Sequence, residues 1–408
     1  MANEKTVRGR VGMLVHGYYP GDVRVRREAE CLVANDFDVH VICIGDRGSG
    51  EKFFDVVNGV HIHRIPLIKK RGSTLRYCFE YFTTLLLGIW KLTLLHQKKR
   101  FDIVHVHNMP DLLVLSGLIP KLTGSVLVLD VHDPMTELFQ ENNHLDRSKW
   151  FTHIIKVQER ICYKLADRLI TVSHPMAENV AKKRGCAKEA IKVIHNFPDL
   201  ELFPVREDRG QWPYHKDNIV LLYSGTITEH YRLDIAIKAL VKVLTVIPNI
   251  RLQVLGQGNR LQEILSLAKD LGIGDRVEHL QPVSVEMVKT IMANVDVGIS
   301  THQSGVFGDL YFSTKIIEFM TQGLPVISSR TSTIEKYIPE DCIFYFEPGQ
   351  VEDLAKLIIF MCNNPSLVLE KIRNSKKLLS KYTWQKEAPE LMSFYESLMR
   401  SGKKVRRT

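Results

Sequence analysis

Cysteine is scarce in this sequence, and its spacing matches neither a disulfide framework nor a zinc site. The 408 residues contain seven cysteines, an odd number, without a Cys-x-x-Cys pair or a Cys/His pair at zinc spacing: Cys31, Cys43, Cys78, Cys162, Cys186, Cys342 and Cys362. A disulfide-rich scaffold and a zinc module are therefore excluded. We expect a reducing compartment, with most of these cysteines as small core residues.

The beginning of the chain lacks the apolar segment of a secretory signal. The first ten residues, MANEKTVRGR, are polar, and residues 11–15 already have the pattern of a strand. We therefore expect no export and a cytoplasmic location.

Neither sign of charge dominates the composition. There are 55 Lys and Arg against 46 Asp and Glu, a net charge of +9, and 45% of the residues are apolar. This composition is typical of a globular protein with a modest preference for anionic partners such as phosphates or anionic lipid. Nucleic acid is not an expected partner, because the basic residues are not interleaved with aromatic residues in any recognisable module.

Apolar runs alternate with helix-compatible segments along the first half of the chain. VGMLVHGYYPGD is a strand followed by a glycine-containing loop, a helical pattern follows, and FDVHVICI is the next strand; FDIVHVH, SVLVLDVH, RLITVSH and IKVIHN continue the series. This alternation predicts a doubly wound parallel sheet. We place this domain at residues 1–205.

A polar segment interrupts the alternation, and the same plan then begins again. PVREDRGQWPYHKDN contains two prolines and neither period, which predicts an interdomain linker. IVLLYSG, LDIAIKALVKVL and IRLQVLGQG start a second domain, and VEHL, VDVGIS, LPVIS and CIFYF complete its strands. The expected fold class is α/β, with two Rossmann-like doubly wound domains facing a cleft and the second domain at residues 215–384.

One helical segment of the second half combines a possible cap with a charged face. In STKIIEFMTQ, helical spacing puts Lys315, Glu318 and Gln322 on one face and apolar residues on the other. Ser313 or Thr314 can cap this helix, and its first N–H groups together with a lysine suit a diphosphate. The alternative is a solvated ion pair between residues three apart.

Several motifs, taken in order, resemble one large enzyme family. They are GYYPGDVRVRREAE, FDIVHVHN, DVHDPMTEL and ADRLITVS in the first half, and YSGTITEHYRLDIAIKAL, LGQGNRLQEI, STKIIEFMTQGLPVIS and YTWQKEAPELMSFYESL in the second. This set is similar to the GT-B-fold glycosyltransferases of family 4, which transfer a sugar from a nucleotide sugar with retention of configuration. The resemblance implies that a C-terminal helix at residues 385–408 packs back on the first domain.

The resemblance assigns donor binding to the second domain. It implies that Glu318, the second glutamate of a Glu-x7-Glu segment, binds the ribose, and that Lys315 belongs to a Lys-x-x-Glu-Phe-Met variant of this motif. The position of the first glutamate is Leu310, and neighbouring Asp309 is an open substitute. Further donor contacts are expected after the strands: Gly225, Thr226, Gly256 and Gly258, with Arg232 as the nearest cation beside Tyr231. An ordinary tight turn is the alternative for these glycines.

In the first domain, Gly17, Gly21 and Asp22 form the loop after the first strand, and we expect this loop to contact the donor or the acceptor. Arg24 belongs to the same acceptor-side group and lies four residues before Glu28, so a surface ion pair is its alternative. His132 and Asp133 end another strand, where the family places a functional histidine; the alternative is a structural histidine.

For the reaction, the resemblance implies that the acceptor hydroxyl attacks on the face that the diphosphate leaves. Charge stabilisation by Lys315 and the helix N-terminus is then the main task, so we name His132, Asp133 and Lys315 as catalytic candidates. We expect no metal and no cofactor, because the sequence has no Asp-x-Asp in an apolar-strand context.

A basic and apolar segment at residues 68–100 resembles a membrane span at first sight. Only ten uncharged residues separate Glu80 from Lys91, fewer than a span of about 20 requires. The spacing instead predicts an amphipathic helix at residues 74–95, with Leu75, Cys78, Phe79, Phe82, Leu86 and Ile89 on one face. This helix either packs on the first domain's sheet or contacts an anionic membrane.

Taken together, the sequence favours a retaining glycosyltransferase that uses a UDP- or GDP-sugar and a glycan or lipid-linked acceptor, in polysaccharide or glycoconjugate biosynthesis. A cytoplasmic location, peripheral at the inner face of the membrane, fits such an acceptor. The alternatives are a sugar-nucleotide epimerase of the same fold and a non-catalytic sugar-binding protein of the periplasmic type.

Overall fold

The chain forms two compact units. The computed structural model describes residues 7–45, 52–68, 74–141, 149–206, 209–215 and 218–405. The first unit contains the described residues up to Gln140, those from 149 to His195, and those from Glu387 onward. The second contains Glu141 and the described residues of Asn196–Lys386.

The first unit alternates strands and helices, as its sequence pattern predicts. Its elements are β1 (Gly9–Tyr18), α1 (Val23–Ala34), β2 (Phe37–Gly45), β3 (Phe54–Val57), β4 (Val60–Pro66), α2 (Thr74–Lys98), β5 (Ile103–His107), a 3₁₀ helix (Asp111–Gly117), α3 (Leu118–Leu122), β6 (Val126–Val131), α4 (Met135–Glu141), α5 (Lys149–Leu165), β7 (Arg168–Thr171), α6 (His174–Arg184) and β8 (Ile191–Val193). The strands form one sheet in the order β3-β4-β2-β1-β5-β6-β7-β8.

One part of this sheet was not predicted. β3 pairs antiparallel with β4, whereas the remaining strand pairs are parallel. The two strands are joined by Asn58 and Gly59, which both have positive φ, 50° and 79°. Asn-Gly is the preferred pair for such a two-residue hairpin, so the signal is present in the sequence.

The second unit repeats the parallel plan. Its elements are β9 (Ile219–Ser224), α7 (Leu233–Leu244), β10 (Ile250–Leu255), α8 (Leu261–Asp270), β11 (Val277–Leu280), α9 (Val285–Ala293), β12 (Val297–Ser300), α10 (Thr314–Thr321), β13 (Val326–Ser329), α11 (Ser332–Tyr337), β14 (Phe344–Phe346), α12 (Val351–Asn363) and α13 (Pro365–Leu379). The strand order is β11-β10-β9-β12-β13-β14, and the pairs are parallel. α14 (Trp384–Val405) begins in the second unit and continues in the first.

The polar segment that suggested a linker packs on the second unit. Trp212 is buried and donates its indole N–H to the carbonyl of Asp296 at 3.1 Å. The Arg209 guanidinium donates to the carbonyls of Met292 and Val295, near the end of α9. The boundary between the units follows His195, whereas the sequence pattern placed it at residue 205.

Helix α2 packs on the sheet with the opposite face from the one expected. Its inward stripe contains Glu80, Thr84, Gly88 and Leu92, whereas the predicted apolar stripe is mostly exposed. The polar groups can lie inward because each has a partner, as described below. Most of the cysteines belong to the cores, as expected: three of the seven are buried, and Cys186 and Cys362 are partly buried against the hydrophobic clusters.

Candidate active site

A small pocket lies at the carboxyl end of the second unit's sheet. β9 has β10 on one side and β12 on the other, so the chain winds in opposite directions from this strand, and ligands of open α/β sheets bind at such a point. The pocket has a volume of about 110 Å³. Among the described residues its lining contains no Asp or Glu and consists of Tyr223, Ser224, Gly225, Thr226, Tyr231, Ile299, Ser300, His302, Tyr311, Ser313, Thr314 and Lys315.

The beginning of α10 forms one wall of this pocket. Ser313 is the N-cap residue, with φ −74° and ψ 108°, and its side chain makes no capping hydrogen bond. The first N–H groups of a helix have no partner within the helix and carry partial positive charge. Together with the ammonium group of Lys315, they make this wall of the pocket attractive to an anion.

Lys315 and Glu318 form an ion pair, with 2.8 Å between Nζ and Oε2. The pair is not the solvated one that the alternative requires, because the Glu318 side chain is only 12% exposed and that of Lys315 34%. Gln322 does not share their environment, since its amide donates to the carbonyl of Pro204 at 3.2 Å. The charged face of α10 is therefore shorter than the spacing indicated.

Asp309 is the residue considered as a substitute for the glutamate that is absent at Leu310. In the structure its carboxylate links two turns of the backbone. Its carboxylate accepts from the hydroxyl of Ser304 and the N–H of Gly305, and also from the N–H of Ser332 at 3.0 Å. It is not part of the pocket lining. This arrangement gives Asp309 a structural task.

The glycines after the strands differ in what they do. Gly225 and Thr226 line the pocket, whereas Gly256 and Gly258 do not. A Cβ atom on Gly256 would lie 1.9 Å from the carbonyl oxygen of Gly225, and one on Gly258 would lie 1.7 Å from that of Ile227. The loops after β9 and β10 approach so closely that both positions require glycine, which explains the Gly-x-Gly pattern without a nucleotide.

Arg232 is not part of the pocket lining. Its guanidinium contacts both carboxylate oxygens of Asp234, at 3.0 and 3.2 Å. Its neighbour Tyr231 lines the pocket instead. The expected donor contact of Arg232 would therefore require this ion pair to open.

His302 lines the pocket and was missed in the sequence. It follows β12, as catalytic and binding residues often follow strands, but its position alone does not distinguish it from other histidines. Burial lowers the pKa of His302 to about 3, so the imidazole is neutral. Its Nδ1 lies 2.9 Å from the hydroxyl of Ser300, and its Nε2 has no hydrogen-bond partner among the described residues.

The first unit contains a buried polar cluster around Asp130, at the end of β6. The Arg24 guanidinium contacts both oxygens of Asp130, at 2.8 and 3.1 Å, and lies 3.1 Å from Glu28. Arg24 and Glu28 are 5% and 0% exposed, so the surface ion pair considered for them is wrong. Arg24 belongs to α1 rather than to the loop.

His132 lies at the edge of this cluster. Its Nε2 is 3.0 Å from Asp130 and 3.2 Å from Nδ1 of His107, and its side chain is 19% exposed. Burial favours a lower pKa for His132, but the charge and hydrogen bond of Asp130 outweigh it, and the pKa is raised. Burial favours a higher pKa for Asp130, but the positive charges of Arg24 and His132 outweigh it, and the pKa of Asp130 is held well below its usual value.

The other first-unit candidates lie near the ends of strands β1 and β6. Gly17 belongs to β1 and Gly21 to the turn after it, and Asp22 caps α1 by accepting from the N–H of Val25 at 3.2 Å. The carbonyl of Asp133 accepts from the amide of Asn108, which also binds the N–H of His132. These contacts fix the backbone and leave the role of the Asp133 carboxyl a prediction.

Two groups of side chains in the described residues have distances compatible with a metal ion. They are Glu28, His105, His107 and Asp130 in the cluster above, and Asp38, His40 and His61 on neighbouring strands. In each group an arginine already pairs with an acid, Arg24 with Asp130 and Arg10 with Asp38. A guanidinium in that position opposes a second cation. The absence of a metal requirement stays a prediction.

Comparison with known proteins gives a consistent result. Residues 21–202 match the model described as Glycosyltransferase Family 4, and residues 204–378 match Glycosyl transferases group 1. Chitobiosyldiphosphodolichol beta-mannosyltransferase of Candida albicans is 25% identical over 78% of this chain and 74% of its own length. A phosphatidylinositol N-acetylglucosaminyltransferase component of Arabidopsis thaliana is 23% identical over 57% of this chain, which spans only 50% of that relative.

Solved structures show the same fold. Sucrose-phosphate synthase of Thermosynechococcus elongatus superposes with a TM-score of 0.78 and 19% identity, covering 97% of this chain and 100% of its own. Anabaena HepE, in complex with UDP and glucose, gives 0.70 and 15%, covering 95% and 100%. The two parallel-sheet α/β domains are thus those of the GT-B glycosyltransferase fold. The chain belongs to family 4 of the GT-B glycosyltransferases, as its motifs indicated, and is a glycosyltransferase.

Proposed function

We propose that this enzyme is a retaining glycosyltransferase that moves a sugar from a UDP- or GDP-sugar to a glycan or lipid-linked acceptor in polysaccharide or glycoconjugate biosynthesis. The observation that carries this proposal is the pocket at the start of α10, where Lys315 and helical N–H groups suit a diphosphate. The UDP in the HepE structure and the lipids named in the Candida and Arabidopsis relatives support it.

In the proposed reaction, the bond between the anomeric carbon and the diphosphate oxygen breaks, and the acceptor oxygen takes the same face. The acceptor proton passes to the departing phosphate oxygen. Lys315 and the α10 N–H groups stabilise the charge that develops there, while Glu318 accepts the ribose hydroxyls. His132, whose imidazole is held by Asp130, contributes a hydrogen bond to a sugar hydroxyl.

Donor binding tests the pocket directly. Thermal-shift and equilibrium titrations with UDP-glucose, UDP-N-acetylglucosamine and GDP-mannose should identify a preferred donor. Lys315→Met and Glu318→Gln should each weaken it about tenfold or more, because each removes a hydrogen bond that involves a charged group. The matched control is Lys377→Met on α13, outside the pocket. Unchanged affinity in both Lys315→Met and Glu318→Gln would refute the site.

Product analysis separates transfer from epimerisation. With donor and a candidate acceptor, NMR of the product should show the anomeric configuration of the donor. Without acceptor, an epimerase would release free nucleotide diphosphate or an epimer at an undiminished rate. That result would replace the proposed function by the epimerase alternative.

A further inference from the structure

The helices that cover one face of the first unit's sheet present an apolar outer side. α2, the 3₁₀ helix, α5 and α6 share one hydrophobic core with strands β1, β2, β5, β6 and β7. Because these elements pack on the same side of the sheet, their outer sides lie on the same side of the unit. Large apolar residues are exposed on α2, α3 and α5, and we call the following side chains together the outer apolar face: Phe79, Phe82, Leu86, Trp90, Leu122, Trp150, Ile154, Val157 and Ile161.

On α2, four large apolar residues recur at intervals of three or four and lie on the outer apolar face. Phe79, Phe82, Leu86 and Trp90 are between 49% and 64% exposed. The ammonium group of Lys91 lies over the Trp90 ring, 5.8 Å from its centre. An amphipathic helix of a soluble protein normally turns such a stripe toward the core, so its exposure indicates a partner.

Helix α5 repeats this arrangement. Trp150, Ile154, Val157 and Ile161 are between 40% and 71% exposed, again at intervals of three or four. Between this stripe and the 3₁₀ helix lies a groove of about 470 Å³, and its wall on that side is Leu112 and Leu115. On α3, Leu122 is 86% exposed.

In the described parts of α2, α3 and α5, the exposed charged side chains are basic. Glu80 is the one acid in the sequence of α2 and Glu159 the one in α5, and α3 has none. Both side chains are fully buried and paired with a cation, Glu80 with Arg76 and Glu159 with Lys183. The outer apolar face therefore carries basic side chains, Arg160 and Lys164 among those exposed, without a carboxylate from these helices.

Helix α2 lies on the sheet instead of crossing a membrane. Residues 76–98 are long and apolar enough for a span by length and composition, and 28% of the apolar window is buried. However, the hydroxyl of Thr84 bonds to His16 of β1 at 2.9 Å, and Gly88 packs so closely on Leu14 that a Cβ would lie 3.0 Å from its side chain. A span would break these contacts and expose the sheet.

We propose that the outer apolar face docks onto the surface of an anionic lipid bilayer, with the groove beside α5 taking part of an acyl chain. Exposed Trp and Phe suit the interface of a bilayer, and the exposed lysines and arginines suit its anionic headgroups. The inference rests on the proposed function in one respect: a lipid-linked acceptor would bring the enzyme to a bilayer. Its test needs no catalysis.

Sedimentation with vesicles tests the proposal on the full chain. The protein should bind phosphatidylcholine vesicles that contain 30% phosphatidylglycerol, and bind pure phosphatidylcholine more weakly. Phe82→Gln with Trp90→Gln, and separately Ile154→Gln with Ile161→Gln, should each weaken binding about tenfold or more, because each pair removes two inserted apolar side chains. The matched control is Met287→Gln with Phe360→Gln, which are exposed to a similar degree in the second unit.

Charge reversal provides the second arm. Arg160→Glu with Lys164→Glu should reduce binding to the anionic vesicles more than tenfold, since each basic residue near such a surface contributes roughly fivefold. Arg373→Glu with Lys377→Glu, on α13 of the second unit, should have little effect.

Three results would overturn the proposal. The first is a parent protein that binds neither vesicle at low salt, and the second is a pair of control variants that weaken binding as much as the face variants do. The third is unchanged vesicle binding together with a dimer that the apolar variants convert to a monomer, which would make the face a contact between two copies. Donor affinity measured on the same variants should stay unchanged, so a failure of the docking surface and a failure of the donor site give different results.

Discussion

Asp130 is the residue on which the polar cluster of the first unit depends. Arg24 supplies one positive charge, whereas Asp130 and Glu28 supply two carboxyl groups, so one further proton, on Glu28 or on His132, balances the cluster. Burial raises the pKa of Glu28 despite the nearby Arg24, which shows how costly a second buried negative charge is at this place. His132 is the partly exposed member through which the cluster can exchange a proton.

The first prediction concerns the titration of His132. Its folded pKa is raised above the ordinary value of about 6.5, so protonation stabilises the fold fully below pH 6.5, and this contribution is lost as the pH rises through the folded pKa. In Asp130→Asn, burial and the charge of Arg24 act without the carboxylate, and the pKa should fall below 6.5. NMR titration of the imidazole measures both values.

The control for this titration is Asp133→Asn. This variant removes the carboxyl next to His132 in the chain, whereas the His132 ring nitrogen lies 3.0 Å from the carboxylate of Asp130. The pKa of His132 should therefore stay close to that of the parent. If Asp130→Asn leaves the pKa of His132 above 6.5, then Asp130 is not the group that keeps His132 protonated. The proposal that Asp130 positions the His132 imidazole would then be wrong.

At the scale of elements, Arg24 ties helix α1 to two other parts of the first unit. It binds Asp130 of β6 through two hydrogen bonds and the carbonyl of Ile194, just after β8, through a third at 2.9 Å. Arg24→Met should lower the free energy of unfolding by about 3–5 kcal/mol, because the Asp130 carboxylate and the neighbouring Glu28 carboxyl group remain buried without their cation. Urea denaturation, followed by circular dichroism, measures the change.

The same helix offers a matched comparison. Arg26 forms an i, i+4 pair with Glu30 at 3.0 Å, but these side chains are 35% and 28% exposed. Arg26→Met should therefore cost about 0.5 kcal/mol or less. Equal losses in the two variants would mean that burial does not decide the strength of these pairs.

The sequence predicted elements better than it predicted their partners. The segment LDIAIKALVKVL corresponds to α7 residue for residue, because its period is local. The inward face of α2 was predicted wrongly, since Glu80 and Thr84 become acceptable in a core only through bonds to Arg76 and His16. The bond to His16 links two segments far apart in the chain, and no periodicity reports it.

The candidate site divides in the same way. Ser313, Thr314 and Lys315 lie at a helix start that local signals predict, and they line the pocket. The close approach that requires Gly258 depends on Ile227, a neighbour in space that lies far away in the chain. Arg232 is engaged by Asp234, only two residues away, and the helical pattern does not reveal this pair either. His302 is brought to the pocket by the strand order, which the sequence pattern alone does not give.

At the scale of the whole molecule, the chain's last helix belongs to both units. Residues 384–386 of α14 lie in the second unit, and those from Glu387 onward lie in the first. Leu391, Tyr395 and Leu398 are almost completely buried, and the Tyr395 hydroxyl lies 2.6 Å from Nδ1 of His105 on β5. This segment therefore completes a core that the rest of the first unit begins.

The last prediction follows from this placement. A chain that ends at Lys386 should lose hydrogen-exchange protection in the first unit, above all in β1, β2 and β5, because Phe37 of β2 and His105 of β5 lose their ring contacts with Tyr395, and β1 lies between these two strands. Protection in β9, β10 and β12 should remain, since the second unit has its own core. Glu396→Ala, which removes only an exposed pair with Arg8, should leave both patterns intact. Equal loss of protection in both sheets would show that the last helix supports the two units jointly.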